Sequence, residues 1–334
     1  MKTKIYKPTK DIPNYLLSFL QNNYGKEENF NLFLNDYVKS YNYCVNNENI
    51  VFVPIYILSK NELVSHVALI IDKRLPRHTA FFGFLEVIKD ASVLRLLWKK
   101  LKEVAKANNV SILKGPINGS IWHQYRCIKE SDGSKFFKSE PICKIYYYEF
   151  LKSLNPTSEI EYYSARRKRF DNVLPKIEIN EDQLTQLGFS IKKLENIDLS
   201  LLIKIAILSK NIFSNSWGFT ELTKNEFLNL YSSDKIDKNL NKLYVLYKND
   251  EIIGYCSTVK EDNMTIICKT ICILPDFQGL GLGNALAYKV HSDLIKEGFK
   301  EVIYALIRRD NKIKNFPKID ADIFRRYSAF EFKI

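Results

Sequence analysis

Gly279, Gly281 and Gly283 fall at every second position of PDFQGLGLGNAL (residues 275 to 286), where a β-rich run ends and an amphipathic helix begins. A strand that turns into a helix leaves backbone N–H groups without intrahelical partners, and such groups bind anions. Glycines there let a bulky diphosphate approach the backbone, and the helix dipole adds partial positive charge. Leu282, Leu286, Val290 and Leu294 recur every fourth residue and hold the helix against a sheet. A nucleotide P-loop would end Gly-Lys-Ser/Thr, but Asn284 and Ala285 follow Gly283. A dinucleotide fingerprint needs a further glycine three residues on, and positions 284 and 286 are Asn and Leu.

Other chemistry-bearing residues are scattered. Cys44, Cys127, Cys143, Cys256, Cys268 and Cys272 form no Cys-x-x-Cys pair, and His66, His78, His123 and His291 lie far apart, so no metal site is expected. Cys268 and Cys272 share a strand face without a histidine nearby in sequence, and are read as small buried hydrophobes rather than an acyl-cysteine nucleophile. Trp122, His123 and Arg126 are the N-terminal half's polar and aromatic cluster, with His123 read as structural. Glu221, Glu261 and Asp262 are the candidate carboxylates for a general base.

The 334 residues are 46% hydrophobic and 13% aromatic, the composition of two packed cores. The net charge of +12 favours anionic partners: nucleic acid, a membrane surface, a phosphorylated cofactor or an acidic carrier protein. The dense basic cluster ARRKRF (165 to 170) is read as a solvated stretch near a domain junction, so nucleic acid is not the expected partner. The N-terminal apolar run is short and follows Pro13, which fits neither a signal peptide nor a spanning helix, and a reducing cytoplasm is the expected location.

These residues need elements to hold them. Apolar spacing predicts helices up to about Tyr43, then strands over 49–58, 63–71 and 78–87 and a helix over 90–109 capped by Asp90. A strand, a short helix and a closing strand end the first half near residue 182. From Gly188 the plan repeats: a strand, two helices, the second with a Thr223/Glu226 capping box, a hairpin turning at Asn249 and Asp250, and a strand to Leu274. Domains at 1–182 and 183–334 are expected, of α/β (α+β) class with mixed, mostly antiparallel sheets flanked by helices.

Gln278-Gly279-Leu280-Gly281-Leu282-Gly283, preceded by Ile273-x-Pro275, resembles the acetyl-coenzyme A motif of the Gcn5-related N-acetyltransferase (GNAT) superfamily. SNSWGFTELTKNEF (214 to 227), AFFGFLEV (80 to 87), GPINGSIWHQYR (115 to 126), SEPICKIYYYEFL (139 to 151) and EYYSA (161 to 165) are similar to segments of tandem-domain members. The resemblance implies two GNAT-like domains, a diphosphate cradle at Gln278 to Gly283, pantetheine contacts by the backbone from Ile271 to Ile273, and a contact from Asn311. It assigns Tyr327 as the acid for the leaving thiolate, although a lengthened connection and the missing glycine after Tyr327 depart from the family pattern. Glu221 falls in the segment implied to form the acceptor side. Ile88-Lys89-Asp90 replaces the glycine loop in the first half, which is read as a degenerate copy.

The function implied is an N-acyltransferase that moves an acyl group from acetyl-CoA to an amine on a small molecule or peptide, by direct attack in a ternary complex. An acidic acyl-carrier protein as donor and a non-catalytic binding or scaffolding protein are the alternatives.

Overall fold

The computed structural model describes residues 2–5, 11–169, 181–194, 197–231, 241–310 and 321–334. They divide into two compact units, Met1–Tyr162 with Arg325–Ile334, and Tyr163–Phe324.

The first unit runs β1 (Lys2–Ile5), α1 (Asn14–Tyr24), α2 (Phe30–Asn46), β2 (Ile50–Ser59), β3 (Glu62–Asp72), β4 (Thr79–Val87), α3 (Ala91–Ala107), β5 (Ile112–Gly115), β6 (Cys127–Ser131) and α4 (Tyr146–Lys152). It also takes the start of β7 (Ser158–Lys168). β1 to β4 form an antiparallel meander whose β2–β3 turn places Lys60 and Asn61 at positive φ. β4 pairs with β5 in parallel, and α3 makes the crossover that a parallel pair requires. Val93, Leu97, Trp98, Leu101 and Val104 of α3 are buried against Ile55, Leu69, Phe82 and Leu113. Asp90 caps α3, accepting from Ser92 N at 2.7 Å and Val93 N at 3.4 Å.

The second unit runs from the end of β7 through α5 (Glu181–Gln186), β8 (Phe189–Leu194), α6 (Leu199–Phe213), α7 (Lys224–Tyr231), β9 (Asn241–Lys248), β10 (Glu251–Lys260), β11 (Thr265–Ile273), α8 (Leu282–Lys296) and β12 (Glu301–Arg308) to the start of β13 (Ala321–Lys333). Strands β8 to β11 are antiparallel neighbours, and β11 pairs with β12 in parallel. The β9–β10 hairpin turns at Asn249 and Asp250, and Thr223 and Glu226 exchange both capping-box bonds at 2.6 and 3.2 Å. Leu286, Val290 and Leu294 of α8 pack with Tyr244, Ile266 and Val302.

Both units thus have a mostly antiparallel sheet with one parallel pair, flanked by helices. The end of β13 pairs with β5 and β6, and Phe330 and Phe332 join the first core. The chain's last ten residues therefore build the first unit. The expected boundary after residue 182 falls in α5. ARRKRF is solvated over only part of its described length, at Lys168 and Arg169. Arg167 is 1% exposed, and Arg166 Nε pairs with Glu301 at 2.9 Å, because these two residues lie near the end of β7.

Candidate functional site: the junction of β11 and α8

β11 is paired on one side with β10 up to Ile273, opposite Gly254. On its other side the register with β12 covers Thr265–Cys268 against Glu301–Tyr304. Leu306 of β12 has φ +57 and donates its N–H to Ser164 Oγ at 3.1 Å, a local break that turns β12 toward β7. The two parallel strands therefore part before residue 269, and the backbone of Ile271 to Ile273 lies beyond their pairing.

After Ile273 the chain makes one 3-10 turn, Pro275–Phe277, and enters α8 through Gly281. Gly279 and Gly281 have φ +86 and +77, the left-handed region that side chains resist. A Cβ at either position would meet no atom within 4 Å, so the space in front of the loop is open. Gly281 caps α8 without a side-chain hydrogen bond, which leaves the N–H groups of Leu282 and Gly283 to an outside acceptor, while Asn284 N donates to the Gly281 carbonyl at 3.0 Å. Gln278 Nε2 donates to the Ile273 carbonyl at 3.1 Å, bracing the loop across its own turn. Leu282 is buried with Ile273, Leu246 and Phe189, whereas Leu280 is 62% exposed at the loop tip. Gly283 lies 3.8 Å, by its ideal Cβ, from Ile273 Cδ1 and has no positive φ.

Gln278, Gly279, Leu280, Gly281, Leu282 and Gly283 thus meet Ile271 and Ile273 at one junction. The other expected residues fall elsewhere. Glu221 is half exposed and ion-paired with Lys210 at 2.5 Å. Asn311 lies outside the described residues. Tyr327 belongs to the first unit, is fully buried, and donates its hydroxyl hydrogen to Glu140. Glu140 in turn pairs with Arg325 Nη1 at 2.6 Å, both side chains being buried. Asp262 accepts from Met264 N and Thr265 N, each at 2.7 Å, and serves its own turn. Burial pushes the Cys272 thiol up to about 12, so it stays an apolar thiol near neutrality.

Two features escaped the sequence reading. His291 on α8 is buried, its ring nitrogens 2.6 Å from the Ala287 carbonyl and 2.7 Å from Tyr304 Oη, and burial lowers it to about 4. Its place next to Val290 and four residues after the apolar Ala287 was the available signal. Glu86, in an otherwise apolar strand of the first unit, is 3% exposed.

Among the described residues no helix is long and apolar enough to cross a membrane, and no group of three His, Cys, Asp or Glu could hold a metal ion.

Residues 208–314 match the model of the Acetyltransferase (GNAT) family. The fold is similar to that of a tandem GNAT protein from the clavulanic acid biosynthesis pathway, at 10% identity and TM-score 0.61, over 99% of this chain and 98% of that one. A GCN5-related N-acetyltransferase from Sphaerobacter thermophilus matches at 12% identity and TM-score 0.53, over 99% and 95%. The glucosamine N-acetyltransferase region of a fungal multi-domain β-N-acetylglucosaminidase matches at 12% identity and TM-score 0.58, over 99% of this chain and 38% of that longer one. No curated protein sequence matches. At these identities the structural likeness speaks for the fold, and the family match covers the β11–α8 junction. Residues 208–314 thus carry the match to the GNAT family, and the fold of the chain is similar to that of a tandem GNAT protein.

Proposed function

We propose that the second unit binds acetyl-CoA or a related acyl thioester and that the protein is an N-acyltransferase acting on an amine. The observation that carries this reading is the junction itself: an open surface built on two positive-φ glycines, before a helix N-terminus without a side-chain cap. In it the N–H groups from Gly279 to Gly283 would hold the diphosphate, and the backbone of Ile271 to Ile273 would hold the pantetheine arm where β11 and β12 part. Acetyl-CoA supplies the activated thioester for attack by the amine.

The chain's remaining work is to orient the amine and accept its proton. Glu221 is the proposed acceptor of that proton, exchanging the ammonium of Lys210 for that of the substrate. Tyr327 has a packing role in this reading, because its hydroxyl is engaged by Glu140. The first unit, without a glycine loop, is proposed as the copy that does not bind the donor, and the cytoplasm as the site of action.

The test is release of free thiol from acetyl-CoA across a panel of small amines and peptides. Amine-dependent release is expected. Coenzyme binding without release for any amine would move the reading to a coenzyme-binding scaffold, which the engagement of Tyr327 favours as the second possibility. Release only from an acylated carrier protein would identify the donor as that protein.

A further inference from the structure

The first unit has its own parting of parallel strands. β4 and β5 pair over Thr79–Phe81 and Ile112–Lys114, and beyond them lies an open cavity of about 40 Å³. Gly83 and the Ile117 carbonyl approach there so closely that a Cβ would sit 1.9 Å from the oxygen. The register of β3 with β4 shifts between His66 and Ala68, and Phe84, at φ +52, donates its N–H to Asn118 Oδ1 at 2.6 Å. This irregularity sets Glu86 opposite His66 and in the cavity wall.

Glu86 is surrounded by the wrong groups for a structural carboxylate. Tyr24 and Tyr147 both donate to Oε2, each at 2.9 Å. Among the described residues nothing donates to Oε1, and no lysine or arginine forms an ion pair with Glu86. Lys144 is a cation whose charge lowers Glu86, and its ammonium is bonded to the Asn23 carbonyl at 2.6 Å. The rings of Phe33, Tyr37, Phe84 and Tyr147 line the cavity. A neutral ligand could donate one hydrogen bond to Oε1. An ammonium gains that bond, a charge pair in a weakly screened site and the attraction of the rings. Arg126 lines the same cavity, its guanidinium 3.7 and 4.0 Å from the centroids of Tyr125 and Tyr162, which disfavours a second positive charge.

We propose that this cavity binds a small primary monoammonium ligand through Glu86 Oε1 and the rings of Tyr37, Phe84 and Tyr147. The site lies wholly in the first unit and does not depend on the donor reading.

The probes are n-butylammonium, 1-butanol and butyrate, which share a shape and differ in charge, titrated calorimetrically into the full chain near pH 8. Only butylammonium is expected to bind. Glu86→Gln keeps an acceptor for both tyrosines and should weaken binding about tenfold or more, as loss of one partner of a buried charge pair does. Because burial raises Glu86 to about 8, binding near pH 7 recruits the ionised form and releases a proton, readable in buffers of different ionisation heat. The groups facing Glu86 are Tyr24 from α1, Tyr37 from α2, His66 from β3, and Cys143, Lys144, Tyr146 and Tyr147 at α4. Burial holds His66 to about 3, so it adds no charge near neutrality. Equal binding of butanol and butylammonium, unchanged binding by a folded Glu86→Gln, or no butylammonium binding to the wild type would each overturn the proposal. If Glu86→Gln does not fold, the three probes on the wild-type chain decide alone. Gly281→Glu should leave butylammonium binding intact, which separates this site from the donor site.

Discussion

The two units turn from strand to helix at matching places and solve the helix N-terminus in opposite ways. In the first, three residues separate β4 from α3, and Asp90 supplies its own carboxylate to the first-turn N–H groups. In the second, a longer connection through Gly279 and Gly281 delivers α8 with no side-chain cap. The lesson is electrostatic: one helix start has brought its anion with it, and the other is left for an anion from outside. The strand before each junction carries the complementary contrast. β4 carries Glu86, a buried carboxyl, one residue before its end, whereas Ile271 to Ile273 present only backbone and apolar groups. We therefore propose the same split between parallel strands for a cation in one unit and for a phosphorylated arm in the other.

The first way to sharpen this comparison is pH. Glu86 is raised from 4.5 to about 8 by burial, so the folded state holds its proton more tightly than the unfolded chain. That contribution to stability is complete below about pH 4.5 and is lost as pH rises through about 8, at up to about 1.4 kcal/mol per pH unit. Denaturant titrations from pH 5 to 8 should show wild type losing ground to Glu86→Gln by that slope. A pH-independent difference would mean that Glu86 is not a buried acid.

Closing the open junction comes next. Gly281→Glu places a carboxylate in front of α8 and should weaken acetyl-CoA binding about 100-fold, or about 2.7 kcal/mol, as a like-charge contact does. Calorimetry with desulfo-CoA and acetyl-CoA reads it, and undiminished affinity would break the contrast. Opening the closed junction is the milder converse. Asp90→Ala should lower the melting temperature by removing the cap of α3 and create no affinity for coenzyme, since the connection there has no glycine. Gly283→Ala should matter least: with ordinary φ and its nearest neighbour at 3.8 Å, it should stabilise α8 by about 0.5 kcal/mol and leave coenzyme affinity unchanged.

Much of this contrast could be read before the fold was known. Asp90 before an apolar helix stripe, the Thr223/Glu226 box and the Asn249-Asp250 turn are local signals, and local backbone geometry obeys them. The glycines at 279 and 281 are of the same kind. What escaped the reading depends on partners distant in sequence. Tyr327 follows the second unit in order, but its hydroxyl meets Glu140, 187 positions away, so order alone gave it the wrong neighbours. Glu86 sits in a strand whose other residues are buried, and no pattern distinguishes a carboxyl aimed into a cavity from one facing solvent. ARRKRF read as solvated because charge density says nothing of which arginine a sheet will cover.

The origin of the strand that completes the first unit fixes the order in which the molecule can be finished. Tyr163–Phe324 is one unbroken stretch of sequence, complete once Phe324 is made. The first unit, begun earlier, must hold an open edge beside β5 until Arg325–Ile334 arrives with Phe330 and Phe332. The half synthesised first is thus the half that closes last, a reversal of the usual vectorial order. Pulsed hydrogen exchange during refolding would show it as amides of β10 and β11 protected before those of β5, and simultaneous protection would remove the distinction.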